Sequence, residues 1–466
     1  MTSYARQLAA HTRLVADAPI PEDLVEWMRT LLFDYLSVAG GGVRLPSSRA
    51  VVRSIDTAPE RSQTQPAPVL GTTRFASVID AALVAGTTGH GLELDDTFEE
   101  GSSHPGVVIF PLVSALAAAR DSTWDEVLRA SVAGYDVMCG AGVQLGAAEA
   151  YGRGFHPTGV AGALGAAAAA SVLLGLDEDR TTMAISLAAN MAAGSLEFLS
   201  DGSWTKRLNA GNAAAVGARA AALAEAGFLG PESAIEGRDG FLTQYGRGTD
   251  RELALTLGGG ALETSIKFYP CCRYMHGGID LLRALHDEVP GIAERIASVQ
   301  VAVIEAGATL VANPPERKLV IGTPVDAQFS MPFGAAVALA TGKASVAQFD
   351  DAPTVADGLG GLMAKVACVR SDALEAAYPQ AWQAEVRVEL EDGTVIERRE
   401  EAFRGAPGNR ATEAEIREKS ADLIGPTAAA LWEALSVLRP DAPFAEGFLT
   451  DAYATLAEAG SIGDGQ

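Results

Sequence analysis

Apolar side chains recur with helical period over most of this chain. Leu24, Val25, Met28, Leu31, Leu32, Tyr35 and Leu36 define a helix over 21–39, with Pro21 suited to its first turn and Gly40 to Gly42 read as its end. Residues 45–74, rich in Ser, Pro and Thr, read as a loop. Helices follow at 76–89, at 107–120 behind Pro105, and at 124–148 behind a Thr123/Glu126 capping box. Three Ala/Gly-rich helices are predicted at 157–175, 181–199 and 209–227. Gly159, Gly162 and Gly165 weaken an exposed helix, so they read as contact points in tight packing. They do not read as a nucleotide loop, because no strand precedes them and no phosphate-binding Lys follows. The LGGGA run at 257–261 reads as a turn.

The pattern changes near Thr264. Val299, Val301 and Val303 alternate as in a half-buried strand, residues 363–369 do likewise, and 385–399 reads as a hairpin around Asp392-Gly393. Helices near 275–288 and 329–341 lie between these strands. Helical texture resumes with a Thr412/Glu415 capping box and at 426–438 and 446–459; the tail, SIGDGQ, is expected to fray. The expected fold is mainly α. A large all-α domain is formed by both chain ends (1–265 plus 405–466), and a smaller α+β lid domain (266–404) is inserted between them.

Composition narrows the function. The 466 residues are 48% hydrophobic, enough for a large core, and exceed the size at which one core usually keeps growing. Net charge is −24, which argues against nucleic acid and anionic membranes as partners. The apolar run from Val160 to Leu176 is too short to span a bilayer and reads as a buried helix. Cys139, Cys271, Cys272 and Cys368 form neither a disulfide framework nor a zinc signature. With no signal-peptide layout at the start, a reduced, cytoplasmic protein is expected.

In so acidic a chain an anion site must be a local basic island. His104-Pro105, His156-Pro157 and Lys206-Arg207 each precede a predicted apolar helix, where free N–H groups and the helix dipole favour anions. Converging, they would hold carboxylates without a metal. Five carboxylates crowd Glu93 to Glu100. They fit three readings: a solvated loop, a charge partner for the histidines, or a magnesium site of the DDxxE kind seen in isoprenoid synthases. Lys267 and Arg273 fall at the predicted domain boundary, where ligand clefts form. Cys271 and Cys272 lack the context of a nucleophile, and His276 reads as an ordinary helix residue.

The stretches GHGLELDDTFEEGSSHPG, GFHPTGVAGALGAA, SWTKRLNAGNAA, IKFYPCCRYMHGGID and DAQFSMPFGAAVAL resemble, in order, motifs of the MmgE/PrpD family. That resemblance implies catalysis without metal or organic cofactor, and a homodimer. It implies catalytic His104, His156, Lys206, Asp95 and Asp96, with Glu93, Thr97, Lys267, Cys272, Arg273 and Phe333 around the substrate. Decarboxylase-like members carry Asp, His and Tyr where this chain has Glu93, Cys272 and Phe333, which argues against cis-aconitate decarboxylation. The expected partner is a small anionic di- or tricarboxylate. The expected reaction is acid–base chemistry alpha to a carboxylate, first of all dehydration of a 2-methylcitrate-like substrate. Epimerisation or decarboxylation is the alternative. An isoprenoid synthase or a non-enzymatic carboxylate-binding protein ranks behind both.

Overall fold

The computed structural model describes residues 2–246 and 253–461. The expectation for the SIGDGQ tail lies outside the described residues beyond Ser461. The chain is mainly α-helical, and two large hydrophobic cores organise it.

The first core is built by helices from both chain ends: Glu22–Gly42, Val78–Gly89, Gly106–Arg120, Trp124–Leu145, Pro157–Leu173, Thr205–Glu225, Glu413–Ile424 and Thr427–Ser436. Pro157–Leu173 is its axis, with every residue but Val172 buried. The glycines are contact points, as expected. A Cβ on Gly165 would lie 2.6 Å from the Gly134 carbonyl, and one on Gly86 would lie 2.7 Å from Gly211 Cα. Such approaches let Ala-rich helices bury a large surface with small side chains. Among the described residues no helix is long and apolar enough to cross a membrane.

The second core includes a four-stranded sheet in the order Val366–Arg370, Ile296–Val303, Ala384–Leu390, Val395–Glu400. The first pair is parallel and the other two antiparallel. The hairpin turns at Gly393, whose φ of +86° needs a residue without a Cβ. Helices His276–Glu288 and Met331–Thr341 contribute to this core.

Local expectations fail where distant contacts decide. Gly40 to Gly42 continue their helix; a Cβ on Gly40 would lie 2.5 Å from Leu456 Cδ2, so the glycines serve packing and not termination. The supposed loop at 45–74 contains the helix Pro46–Arg53 and a short strand, Ala67–Pro68, that pairs with Phe75–Ala76 just beyond it. Lys206 and Arg207 lie inside the first turn of the Thr205–Glu225 helix, not before it. Residues 363–365 precede the strand, and further helices, among them Glu305–Val311 and Ala352–Met363, lie between the strands. In LGGGA, Gly258 is left-handed (φ +73°), and the amides of Gly258 and Gly260 donate to the Asp136 carboxylate at 2.9 Å each.

Two connections position the site. Thr97–Phe98 pairs antiparallel with Thr264–Ser265, which lays the acidic segment beside the segment from Lys267 to His276. From the C-terminal part, buried Lys419 pairs with Asp34 at 2.7 Å and donates to the Leu94 carbonyl at 2.9 Å. The loop that carries the acidic residues is therefore anchored from below.

Candidate active site

A narrow cavity lies between the two cores. His104, His156, Lys206 and Glu93 reach it from the first core's side, and Cys272, Arg273, Tyr274 and Trp382 from the second's; Thr97, Ser102, Tyr151 and Phe329 complete most of the wall. The site is secluded, with His156 2%, Arg273 3%, Lys206 7% and His104 8% exposed.

His104 closes a tight turn before Pro105 and the Gly106–Arg120 helix. Its Nδ1 lies 2.7 Å from the Asp96 carbonyl oxygen and 3.1 Å from Thr97 Oγ1. A carbonyl only accepts, so Nδ1 carries the proton and Nε2 keeps its lone pair. Burial pushes the imidazole down to about 3, against the pull of nearby Asp95, so His104 is neutral at ordinary pH. Its backbone N–H donates to Thr158 Oγ1 at 3.1 Å, which ties it to the start of the Pro157–Leu173 helix. His156 caps that helix, and its Nδ1 has no partner. Burial, together with Lys206, holds His156 well below the usual histidine range.

Glu93 adopts φ +55°, a left-handed backbone rare outside glycine. In that conformation its carboxylate pairs with Lys206 and lies 3.5 Å from Lys267 Nζ. Burial opposes ionisation of Glu93, but the two lysines outweigh it and hold the carboxyl well below its usual range. Lys267 sits behind Glu93, fully buried, and does not line the cavity. Arg273 is aimed by Glu99, at 2.8–2.9 Å, and by the Arg404 carbonyl at 3.0 Å.

The paired aspartates part company. Asp95 Oδ2 takes a hydrogen bond from His90 Nδ1 at 2.9 Å and lies 3.4 Å from His104 Nδ1. Asp96 instead accepts from the Gly106 amide at 2.9 Å and from the Tyr135 hydroxyl at 2.6 Å. Burial raises Asp96 to about 7 despite those donors. With Asp95, Asp96 and Glu99 turned to separate partners, the DDTFE run does not assemble a DDxxE magnesium cluster, and its buried members do not form a solvated loop.

Cys272 lines the cavity, with burial pushing its thiol up, which suits a wall residue better than a nucleophile. The structure does not bring Phe333 to the cavity. Its ring is fully buried and packs edge-on against Phe349 at 5.2 Å, while Phe329, in the connection just before the Met331–Thr341 helix, faces Lys206 at 5.1 Å. His276 is buried against Arg273 and Tyr269. Sequence reasoning missed the wall residues Ser102, Tyr151, Tyr274, Phe329 and Trp382, and it missed His90, fully buried at the end of the Val78–Gly89 helix, with its ring 4.9 Å from that of His104 and 5.7 Å from that of His156. The available signal was its place five residues before Asp95. Among the described residues, His90, His104 and His156 form a histidine group able to hold a metal ion, with ligand atoms within 4.8 Å of one another.

The MmgE/PrpD N-terminal domain matches residues 6–254, and the C-terminal domain matches 269–434. The chain belongs to the MmgE/PrpD family. Similar proteins include a cis-aconitate decarboxylase-like protein, oryM, of Aspergillus oryzae, 27% identical over 401 residues, or 81% of this chain and 82% of the relative. The cis-aconitate decarboxylase of Aspergillus terreus is 25% identical over 82% of this chain and 81% of its own length. The human cis-aconitate decarboxylase is 34% identical over 170 residues, 35% of this chain and 34% of that protein. Membership and these relatives mark this MmgE/PrpD protein as an enzyme of the lyase type.

Proposed function

We propose that this MmgE/PrpD protein dehydrates a small hydroxy-tricarboxylate of the 2-methylcitrate kind, by proton removal alpha to a carboxylate. The observation that carries this reading is the fixed tautomer of His104: a neutral, buried imidazole whose Nε2 lone pair is left for a cavity shared with Lys206 and Arg273. Elimination needs a base at its outset. Decarboxylation needs instead a proton donor for the carbanion left by CO₂, and histidines kept neutral by burial hold no acidic proton until a base step has loaded one.

Lys206 and Arg273 hold the substrate carboxylates, Arg273 through its planar fork and Lys206 as a point charge. The incoming negative charge offsets these cations and raises the basicity of His104. His104 Nε2 takes the alpha proton, the C–O bond breaks, and the His104 imidazolium returns that proton to the departing hydroxyl, which leaves as water. Asp95 stabilises the imidazolium formed at His104. Entry to so buried a cavity requires the two cores to part, which supports residues 266–404 acting as a lid over a helical domain formed by 1–265 and 405–466.

The second reading is decarboxylation of a cis-aconitate-like acid, favoured by the relatives' activities. One experiment tests both. Protein is incubated in D₂O with 2-methylcitrate, citrate and cis-aconitate and followed by NMR. A new vinylic signal from a hydroxy acid supports dehydration, CO₂ release from cis-aconitate supports the second reading, and no conversion with no deuterium uptake overturns both.

A further inference from the structure

We propose that His90, His104 and His156 form a binding site for one divalent transition-metal ion of the zinc class, and that the ion inhibits the enzyme. Three features of the cluster point to a ligand. The ligand atoms of the three side chains already lie within 4.8 Å of one another, close enough that small ring rotations bring three nitrogens to the 2.0–2.1 Å (approximately) that zinc prefers. The lone pairs are available. His90 donates from Nδ1 to Asp95 and His104 from Nδ1 to the Asp96 carbonyl, so in both rings Nε2 is the nitrogen left to ligate. His90 Nε2 and His156 Nδ1 are also buried without any hydrogen-bond partner. Buried polar atoms are rarely left unpaired, and imidazole nitrogens converging without a donor between them favour a shared cation.

The surroundings are those of a built site. Asp95 holds His90 from the far side of its ring, as a carboxylate commonly orients a zinc-bound histidine, and the Asp96 carbonyl does the same for His104. Glu93 Oε1 lies 3.7 Å from His90 Nε2, and Glu93 Oε2 is buried without a hydrogen-bond partner, which tempers the charge of Lys206 and Lys267. His104 and His156 both line the cavity, so water or a carboxylate held there can complete the coordination. Imidazole nitrogen suits zinc over magnesium or calcium, which prefer oxygen. Occupancy ties up the Nε2 lone pair of His104. Inhibition therefore rests on the function proposed above, whereas metal binding does not.

The test separates the two. Chelator-treated protein is titrated with Zn²⁺ by calorimetry, and with Co²⁺ by visible absorption, where strong bands report four-coordinate ligation. One ion per chain is expected. His90→Ala and His156→Ala should each weaken binding at least about 100-fold, and Asp95→Asn, which only loosens His90, about 10- to 100-fold. His286→Gln, at a ring that bonds the Leu339 carbonyl on another helix, should leave binding unchanged. Thermal melts followed by circular dichroism establish that each variant is folded. Asp95→Asn keeps all three histidines, so it reports on the site even if a histidine variant unfolds. Failure to bind an ion, or binding unaltered in all three site variants, overturns the site. Binding at the site without loss of turnover overturns the inhibition and counts against His104 as base.

Discussion

The His104 ring donates its Nδ1 proton to the backbone carbonyl of Asp96, 2.7 Å away. A neighbour that can only accept sets the tautomer, so the basic nitrogen is the one left for the cavity. This geometry supports His104 as the base in the proposed reaction, where the chain alone left the two histidines equivalent. His104→Ala should lower kcat by about 100- to 10,000-fold, with the melting temperature changed little, since the ring borders a cavity. Turnover within a few-fold of the parent would remove His104 from the mechanism.

The acidity of that ring makes a second prediction. Burial lowers His104 to about 3, so protons do not compete for Nε2 until well below the usual histidine range. The acid limb of kcat/KM, which reports the free enzyme, should be absent between about pH 7.5 and 5.5. A half-loss of kcat/KM near pH 6.5 would show an ordinary, solvated histidine in control. The stability contribution has the matching sign. It is complete above the unfolded value near 6.5 and is lost as pH falls toward the folded one.

Much of the helical frame was legible because it rests on local rules. The capping boxes at Thr123/Glu126 and Thr412/Glu415 and the turn at Gly393 form as their residues dictate. What stayed hidden depends on partners far along the chain. Gly40 looks like a helix end until Leu456 is seen against it. The helix Pro46–Arg53 is short, and Ser47 and Ser48 are buried in it, a pattern that local polarity reads as loop. In the site, the basic residues at helix starts were visible, but the fate of each carboxylate was not. Asp95 and Asp96 are adjacent, and only the folded backbone sends one to His90 and the other to Tyr135. His90 was passed over because nothing local marks it as buried. Phe333 lies four residues after Phe329, across a break between two helices, and only packing decides which ring meets Lys206.

Asp96 carries a third prediction. Burial raises its carboxyl to about 7, from an unfolded value near 3.8. The folded protein therefore holds a proton that the unfolded chain releases. The stabilisation from this group is complete below the unfolded value and is lost as pH rises toward about 7. Asp96→Asn keeps an acceptor for the Gly106 amide and supplies a donor to the Tyr135 oxygen. Its melting temperature should depend less on pH between about 5 and 8 than that of the parent. Identical slopes in thermal melts across that range would place the titration elsewhere.

The ion pair of Glu93 and Lys206 makes the fourth prediction, because it separates charge balance from catalysis. Both side chains are buried, Glu93 at 2% and Lys206 at 7% exposed, and Lys267 presses on the same carboxylate. Removing one partner of a buried pair strands the other without a countercharge, which typically destabilises by about 3–5 kcal/mol. Glu93→Ala should fall in that range, since it strands two ammonium groups. Lys206→Met should fall below it, because Lys267 still faces Glu93. In Glu93→Ala/Lys206→Met the loss should be smaller than the sum of the single losses, by about 1–3 kcal/mol. Denaturant unfolding measures all three. Strict additivity would mean the two groups do not sense each other in the folded state. Kinetics then distinguish the roles. Lys206→Met should raise KM for an anionic substrate, since it removes a cation that contacts the ligand, and adding Glu93→Ala should not restore KM. If the double variant recovers KM, Lys206 serves to neutralise Glu93, and Arg273 is the cation that seizes the substrate.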